Sequence, residues 1–432
     1  MNISRPREGK IFYGWWIVVV SGIGLFMGYG AVISFSFGVF SNPLGQEFHW
    51  SRTEISLAYS LSLIVYCLAT PLLGRLIDRI GARKIILPSV LIFGLCLISF
   101  QMLSGNLWHF YAIYLVMGLV GGGNSLVPYS GVISHWFDKR RGLALGLAAI
   151  GVGLSTFLIP SLAHTLISAA GWRGAYTILG LMVILVTIPV VGFFLVDKPQ
   201  LMGLLPDGEI VPHQELKTPP GELEGLTSFE ALRTRTFWLL FIAFLLIGIS
   251  VVGCLIHLVP MLTDRGVSAR TAAFATSVLG GAVILGRVVS GYLLDRLFAS
   301  YVATVFFIGA GIGILILWSG AAGVWAFVGA FLIGMGMGAE NDIVAYVVSR
   351  YFGLRAYSEI YGYVLISFAM GGIIGPLMMG IGFDRTGSYR VILGVFLVAT
   401  LLGAVLMTRL GPYRVWNTSA SSSDGSQVVL VV

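Results

Sequence analysis

Gly74-Arg75-Leu76-Ile77-Asp78-Arg79 returns as Gly291-Tyr292-Leu293-Leu294-Asp295-Arg296, 217 positions later (291 − 74). The same offset joins Pro43 to Pro260 and Arg173 to Arg390. Trp136-Phe137 and Arg140 recur as Tyr351-Phe352 and Arg355, with the offset slipped to 215 (355 − 140). A period this long is half of the 432-residue chain, so it is a duplicated unit and not a solenoid repeat.

Each copy is strongly apolar. Hydrophobic residues make up 57% of the chain and charged residues 10%, against about 25% charged in a soluble globule. Twelve apolar stretches have a length near the ~20 residues that cross a bilayer core. They fall at 14–39, 55–77, 85–104, 108–133, 142–168 and 175–196, then at 236–259, 271–294, 301–320, 324–349, 358–381 and 391–410. The expected fold is an all-α membrane protein of twelve transmembrane helices in two pseudo-symmetric six-helix halves. Residues 1–197 form the first half and 236–410 the second, with a Pro-, Gly- and Glu-rich linker at 198–235 and a Ser-rich, disordered tail at 411–432. Paired hydrophobic repeats are the plan of many secondary transporters. The 57 glycines suit helix backbones that pack closely in lipid.

With the N-terminus inside, nineteen lysines and arginines fall on the inner side and six on the outer: Arg52, Arg173, Arg265, Arg270, Arg385 and Arg390. That asymmetry predicts cytoplasmic termini in a plasma (inner) membrane. It also accounts for the net charge of +7 without a nucleic-acid partner. Cys67, Cys96 and Cys254 are dispersed within predicted helices, which argues against a disulfide framework or a metal site. The first apolar run is long enough to span, so it does not read as a cleavable signal. The Asn417-Thr418-Ser419 sequon lies in the cytoplasmic tail and is discounted. Phosphate-binding GK[ST] loops, HExxH, paired CxxC and GxSxG are absent, which argues against an enzyme, a cofactor or an ATP-driven pump.

Gly74-Arg75-Leu76-Ile77-Asp78-Arg79-Ile80-Gly81-Ala82-Arg83-Lys84 resembles the loop signature of the major facilitator superfamily, G-x-L-x-D-R-x-G-R/A-R/K. The resemblance implies that this loop latches an outward-open state, which assigns gating to Asp78, Arg79 and Arg83. The second copy keeps its acid, Asp295, and loses the distal basic pair. A basic run that only fixes topology is the plainer reading. The run from Phe137 to Gly151, FDKRRGLALGLAAIG, is similar to the fifth-helix signature of monocarboxylate transporters, departing at Ile150. Bacterial oxalate–formate antiporters carry a similar D-K-R-G-L-A run. Phe12-Tyr13-Gly14-Trp15-Trp16 matches half of a second monocarboxylate-transporter motif and lacks its acid, which favours a bacterial relative.

Polar residues within the spans are costly and point to function. Arg287, in the eighth span, is the one basic residue outside a loop or terminus. Its planar fork fits a carboxylate, and the resemblance implies the same, since both transporter groups use an eighth-helix arginine. The plainer reading is an arginine snorkelling to the inner interface beside Asp295. Glu340 and Asp342 lie in the tenth span. Glu340 is the expected proton site or counter-ion, because its near-repeat partner is Asn124 behind Gly121-Gly122-Gly123; Asp342 is expected to be satisfied locally by Asn341, Arg350 or backbone. His257 is a second proton-coupling candidate, or a satisfied interfacial residue. Tyr29, Asn124 and Phe368 are candidate cavity residues, and Asp264, beside Arg265, is a candidate outer gate.

The expected function is alternating-access transport of small organic anions, with protons as the second partner and the chain acting as a monomer. Proton-coupled lactate or pyruvate symport leads. Organic-anion exchange, uptake of another organic acid and a transporter-derived nutrient sensor are the alternatives.

Overall fold

The computed structural model describes residues 12–50, 52–208, 225–321 and 323–413. The linker at 209–224, the tail from 414 onward and the basic residues Arg5, Arg7, Lys10, Lys217 and Arg414 lie outside the described residues.

The first half begins with a broken span, α1 (Gly14–Phe26) and α2 (Tyr29–Phe48), followed by α3 (Arg52–Ile80) and α4 (Ala82–Ser99). A second broken span comprises α5 (Leu107–Gly121) and α6 (Leu126–Trp136). Next come α7 (Arg141–Met182) and, past a π-helical turn at Val183–Thr187, α8 (Ile188–Phe194). Pro189 has no N–H to give to this turn, a recognised cause of such bulges. The linker contributes the short α9 (Ser228–Leu232), closed by a Thr227/Glu230 capping box. The second half runs α10 (Arg235–Asp264), α11 (Ala269–Leu294), α12 (Ala299–Trp318), α13 (Val324–Phe352), α14 (Tyr357–Thr386) and α15 (Arg390–Thr408).

Eleven continuous apolar runs among the described residues are long enough to cross a bilayer. One of them, Arg141–Phe194, is 54 residues long, more than two crossings of ~20 residues. It turns at Gly171, where φ 70° and ψ 170° leave the helix. That run is therefore two spans, and the expected twelve are present. Leu68, Leu72, Phe193 and Val305 are exposed, as lipid-facing side chains are.

Two breaks in the first half meet each other. Gly28 is extended between α1 and α2, and Ser125 is extended before α6, where its hydroxyl accepts from Val127 N–H. Asn124 joins them: its Nδ2 donates to the Met27 carbonyl at 3.4 Å, and its Oδ1 accepts from the Tyr129 hydroxyl at 2.9 Å. Their repeat counterparts, α10 and α13, run through without interruption.

The halves meet along two seams, α3 against α14 and α7 against α11. A Cβ at Gly74 would strike the Ser358 carbonyl, and one at Gly291 would strike that of Gly142. The repeated glycine is thus the point where two backbones touch, once in each seam. Both contacts lie toward the face holding Gly81, Asp138 and Asp295, termed here the basic face. Toward the opposite face the α7/α11 seam parts. Gly153 still meets Ile284, but Cβ atoms at Gly280 and Gly281 would meet nothing within 4 Å.

Candidate functional site

Helices α11 and α13 run side by side in step. Cβ atoms at Gly334 and Gly338 would strike the carbonyls of Leu279 and Val283. Residues four apart share a helix stripe, so the next rung pairs Asp342 with Arg287. The structure shows that rung as a buried ion pair, Arg287 Nη1 to Asp342 Oδ1 at 3.9 Å. Arg287 is eight residues from Asp295, roughly 12 Å along the helix, and so lies deep in the bilayer. It also stands at the seam between halves, because a Cβ at Gly146 of α7 would sit 2.6 Å from its carbonyl.

This corrects the expectation for Asp342. Asp342, expected to be satisfied by Asn341, Arg350 or backbone, is the partner of Arg287. Glu340 is two residues earlier, about 200° around the helix. It shares a stripe with Gly336, which faces Ala310 of α12, and it is fully buried. The charges are poorly satisfied. Arg287 Nε and Nη1, both Glu340 oxygens and Asp342 Oδ2 lack a hydrogen-bond partner. Asp342 also borders a gap of about 10 Å³ between the halves. The second-half wall of that gap includes Asn341, Asp342 and Tyr361; the first-half wall includes Leu25, Leu126, Ile133 and Leu145.

Other candidates are occupied elsewhere. Asn124 spends both ends of its amide bracing the helix breaks. Tyr29 is buried, bonded to the Ser62 hydroxyl at 2.7 Å and stacked on Tyr66. Phe368 packs on Gly248 within the second half. The His257 ring lies 3.2 Å from the Pro376 carbonyl and 3.4 Å from the Tyr389 hydroxyl, a satisfied interfacial position.

The basic face is held by symmetric latches. Asp78 accepts from the backbone N–H groups of Ser358 (3.1 Å) and Glu359 (3.0 Å), at the start of α14. Asp295 accepts from those of Gly142 (2.6 Å) and Leu143 (2.9 Å), at the start of α7. Each aspartate ends one helix and caps a helix of the other half, where an anion is favoured. Burial lifts the Asp295 carboxyl above the ordinary range, with the Leu143 and Gly142 N–H groups opposing it.

Among the described residues only the first copy adds an ion pair, Arg75 to Glu359 at 2.7 Å. A further bridge joins Asp138 to Arg350 at 2.8 Å, and Arg141 donates to Ser349 at 2.9 Å. Arg79 is exposed and pairs with no acid among the described residues. Arg83 stays within the first half, donating its backbone N–H to Asp197 at 2.9 Å and its guanidinium to the Gly192 carbonyl. On the opposite face, Asp264 is exposed and makes no ion pair among the described residues, while Arg265 donates to the Leu317 and Ala321 carbonyls. Glu47 binds Trp172 and Arg173 of its own half, each at 2.5 Å. The basic face is thus shut, and toward the other face the α7/α11 seam loses contact at Gly280 and Gly281.

Sequence reasoning missed Glu359, Asp138 and Ser349 as gate partners. The repeat carries no signal for them, because the counterpart of Arg75 is Tyr292. Asp342 did leave a signal: Gly334, Gly338 and Asp342 form one four-residue stripe.

A family model described as Major Facilitator Superfamily matches residues 15–376. Monocarboxylate transporter 11 of Homo sapiens is 27% identical over 400 residues, covering 89% of this chain and 80% of that protein. An uncharacterized MFS-type transporter of Bacillus subtilis, YcxA, is 26% identical over 382 residues, covering 86% and 89%. Among solved structures, the proton:xylose symporter XylE superposes with a TM-score of 0.71 at 14% identity, covering 93% of this chain and 96% of that one. This last likeness speaks to the fold alone.

Proposed function

The chain belongs to the Major Facilitator Superfamily, whose members are transporters and not enzymes, and we propose that it carries a small monocarboxylate together with a proton. The observation that carries this reading is the charge count at the centre: one guanidinium, Arg287, against two buried carboxylates, Asp342 and Glu340. An unpaired charge in a low-dielectric interior costs several kcal/mol. One cation balances one acid, so the second carboxyl is neutral while the site is empty.

A substrate carboxylate entering from the parted face brings one more negative charge. It takes the Arg287 fork, which the 3.9 Å contact leaves unfilled, and Asp342, released from Arg287, takes a proton. Monoanion and proton then cross together in an electrically neutral site, and the halves rock about it. The first-half wall, apolar but for Ser130, whose hydroxyl donates to the Val127 carbonyl, suits the hydrocarbon end of the substrate. Lactate and pyruvate fit this chemistry, and monocarboxylate transporters among the relatives support it.

Organic-anion exchange uses the same cation and differs only in whether the empty carrier can return. The basic bias of one face favours cytoplasmic termini, so in this reading the shut face is the cytoplasmic one and the seam parts toward the outside of a plasma membrane. Each chain holds both halves of the site, which favours a working monomer. Counterflow of labelled lactate in proteoliposomes tests the reading directly. Transient accumulation of label in vesicles preloaded with unlabelled lactate is the expected result, and an inward proton gradient should drive net uptake into empty vesicles; no counterflow with lactate or pyruvate would remove the monocarboxylate assignment.

A further inference from the structure

At the basic face, beside the Asp78 latch, lies a cavity of about 350 Å³ that the transport cycle leaves unused. Arg79, Lys84, His135 and Lys198 line it from the first half, and Leu354 and Ser358 from the second. Two acids also border it, and both are engaged. Asp78 holds the Ser358 and Glu359 N–H groups, and Asp197 holds that of Arg83. The cations are not: Arg79, Lys84 and Lys198 close no ion pair among the described residues.

His135 adds a second, independent demand. Its Nδ1 lies 2.7 Å from the Gly131 carbonyl, which can only accept, so Nδ1 carries the hydrogen. Nε2 is buried and has no partner. In the neutral ring it is a bare acceptor that needs a donor. Lys84 and Lys198 act on the Asp197 carboxylate, but the three cations outnumber the two acids of the cavity, so it favours an anion, and the bare nitrogen calls for an anion that still bears a proton. Carboxylates, sulfate and phosphodiesters at neutral pH bear none. Hydrogen phosphate does, as does a phosphomonoester in the monoanionic form it adopts below its second pKa of ≈ 6.

We propose that this cavity binds a phosphate group carrying a P–OH, with its oxygens on Arg79, Lys84 and Lys198 and its hydrogen donated to His135 Nε2. Because the cavity spans both halves beside Ser358, an occupant braces the shut basic face and slows turnover. The phosphate can come from solution or from a phosphatidic acid headgroup at the membrane surface. The inference does not depend on the cargo, so failure of lactate counterflow leaves it standing.

Thermal melting of the purified protein in detergent, with inorganic phosphate or sulfate at equal ionic strength, is the test. Phosphate should raise the Tm in a saturable way and sulfate should not. Lys84→Ala with Lys198→Ala should weaken phosphate at least about tenfold, the scale of a lost charge-assisted bond. Equal shifts with the two anions, or unchanged affinity in the double variant, would overturn the site. His135→Phe should lose the preference for phosphate over sulfate; a retained preference overturns the role of Nε2, and the lysine pair still decides if this variant does not fold. Phosphatidylcholine nanodiscs doped with phosphatidic acid or phosphatidylglycerol separate the sources. Stabilisation by phosphatidic acid that phosphate competes away marks the lipid, stabilisation by phosphate alone marks the soluble anion, and equal effects of both lipids refute the P–OH requirement.

Discussion

Asp78→Asn keeps the shape of the latch and removes its charge. The carboxylate now takes two backbone N–H groups, at 3.1 and 3.0 Å. In the amide one of those oxygens becomes an NH2 that points a donor at a donor. One charge-assisted bond goes, about 1.5–3 kcal/mol, together with about 0.3–1 kcal/mol for an anion at a helix N-terminus. Roughly 2–4 kcal/mol therefore shifts against the state shut on the basic face, about 30- to 1,000-fold in its ratio to the open state. Asp295 and the Arg75–Glu359 pair remain, so the shut state is depleted and not lost. Spin labels at Arg140→Cys and Arg355→Cys, exposed repeat-equivalent positions in opposite halves, report the gap once Cys67, Cys96 and Cys254 are replaced. The variant should gain a longer-distance population and transport more slowly, with substrate affinity largely kept. An unchanged distance distribution with wild-type transport would refute the latch and leave the motif as a topology signal.

Gly74→Val places methyl groups against the Ser358 backbone, which cannot give way; overpacking of about 1–3 kcal/mol should open the basic face in the same label assay. Arg287→Ala should abolish lactate binding and lower the melting temperature, since breaking a buried pair costs about 3–5 kcal/mol. Arg287→Met with Asp342→Leu should recover the melt but not transport, and recovered transport would remove the pair from the mechanism. Asp342→Asn should weaken proton-gradient-driven uptake more than exchange, as measured in liposomes at several pH values; unchanged uptake would move the proton to Glu340. Oxalate should compete poorly with labelled lactate, because Ile360 to Gly372 on α14 holds no lysine or arginine for a second carboxylate; tight oxalate inhibition would contradict the single-cation count.

The repeat makes the two halves and the Asp78/Asp295 pair legible in the sequence, because duplication preserves position. Apolar length gave the spans, including the two that share one long run. Partners of the latches were not legible: Glu359 is 284 residues from Arg75, and no periodicity links residues that meet only when two halves close. Arg287 stood out as an isolated charge, while its partner depended on helix rotation. Glu340 was favoured from its alignment with Asn124, yet the small-residue stripe set by Gly334 and Gly338 turns Asp342 toward α11. Asn124, Tyr29 and His257 show the other limit: in this structure each of these polar side chains within a span serves a neighbouring helix.

The paired breaks at Gly28 and Ser125 have no counterpart in α10 or α13. Duplication began with two alike modules, and the pair has since specialised. One became a stiff lever that carries the ionised groups, and the other became the pliant member, jointed at mid-membrane and pinned there by the Asn124 amide. An extended backbone flanked by short helices gives way at far lower cost than an unbroken helix. Deformation during the stroke should therefore concentrate in the first module, where amide hydrogens around Gly28 and Ser125 would exchange well before those at the matching depth of α10 and α13. A transplanted second module would keep the charge chemistry and lose the joint.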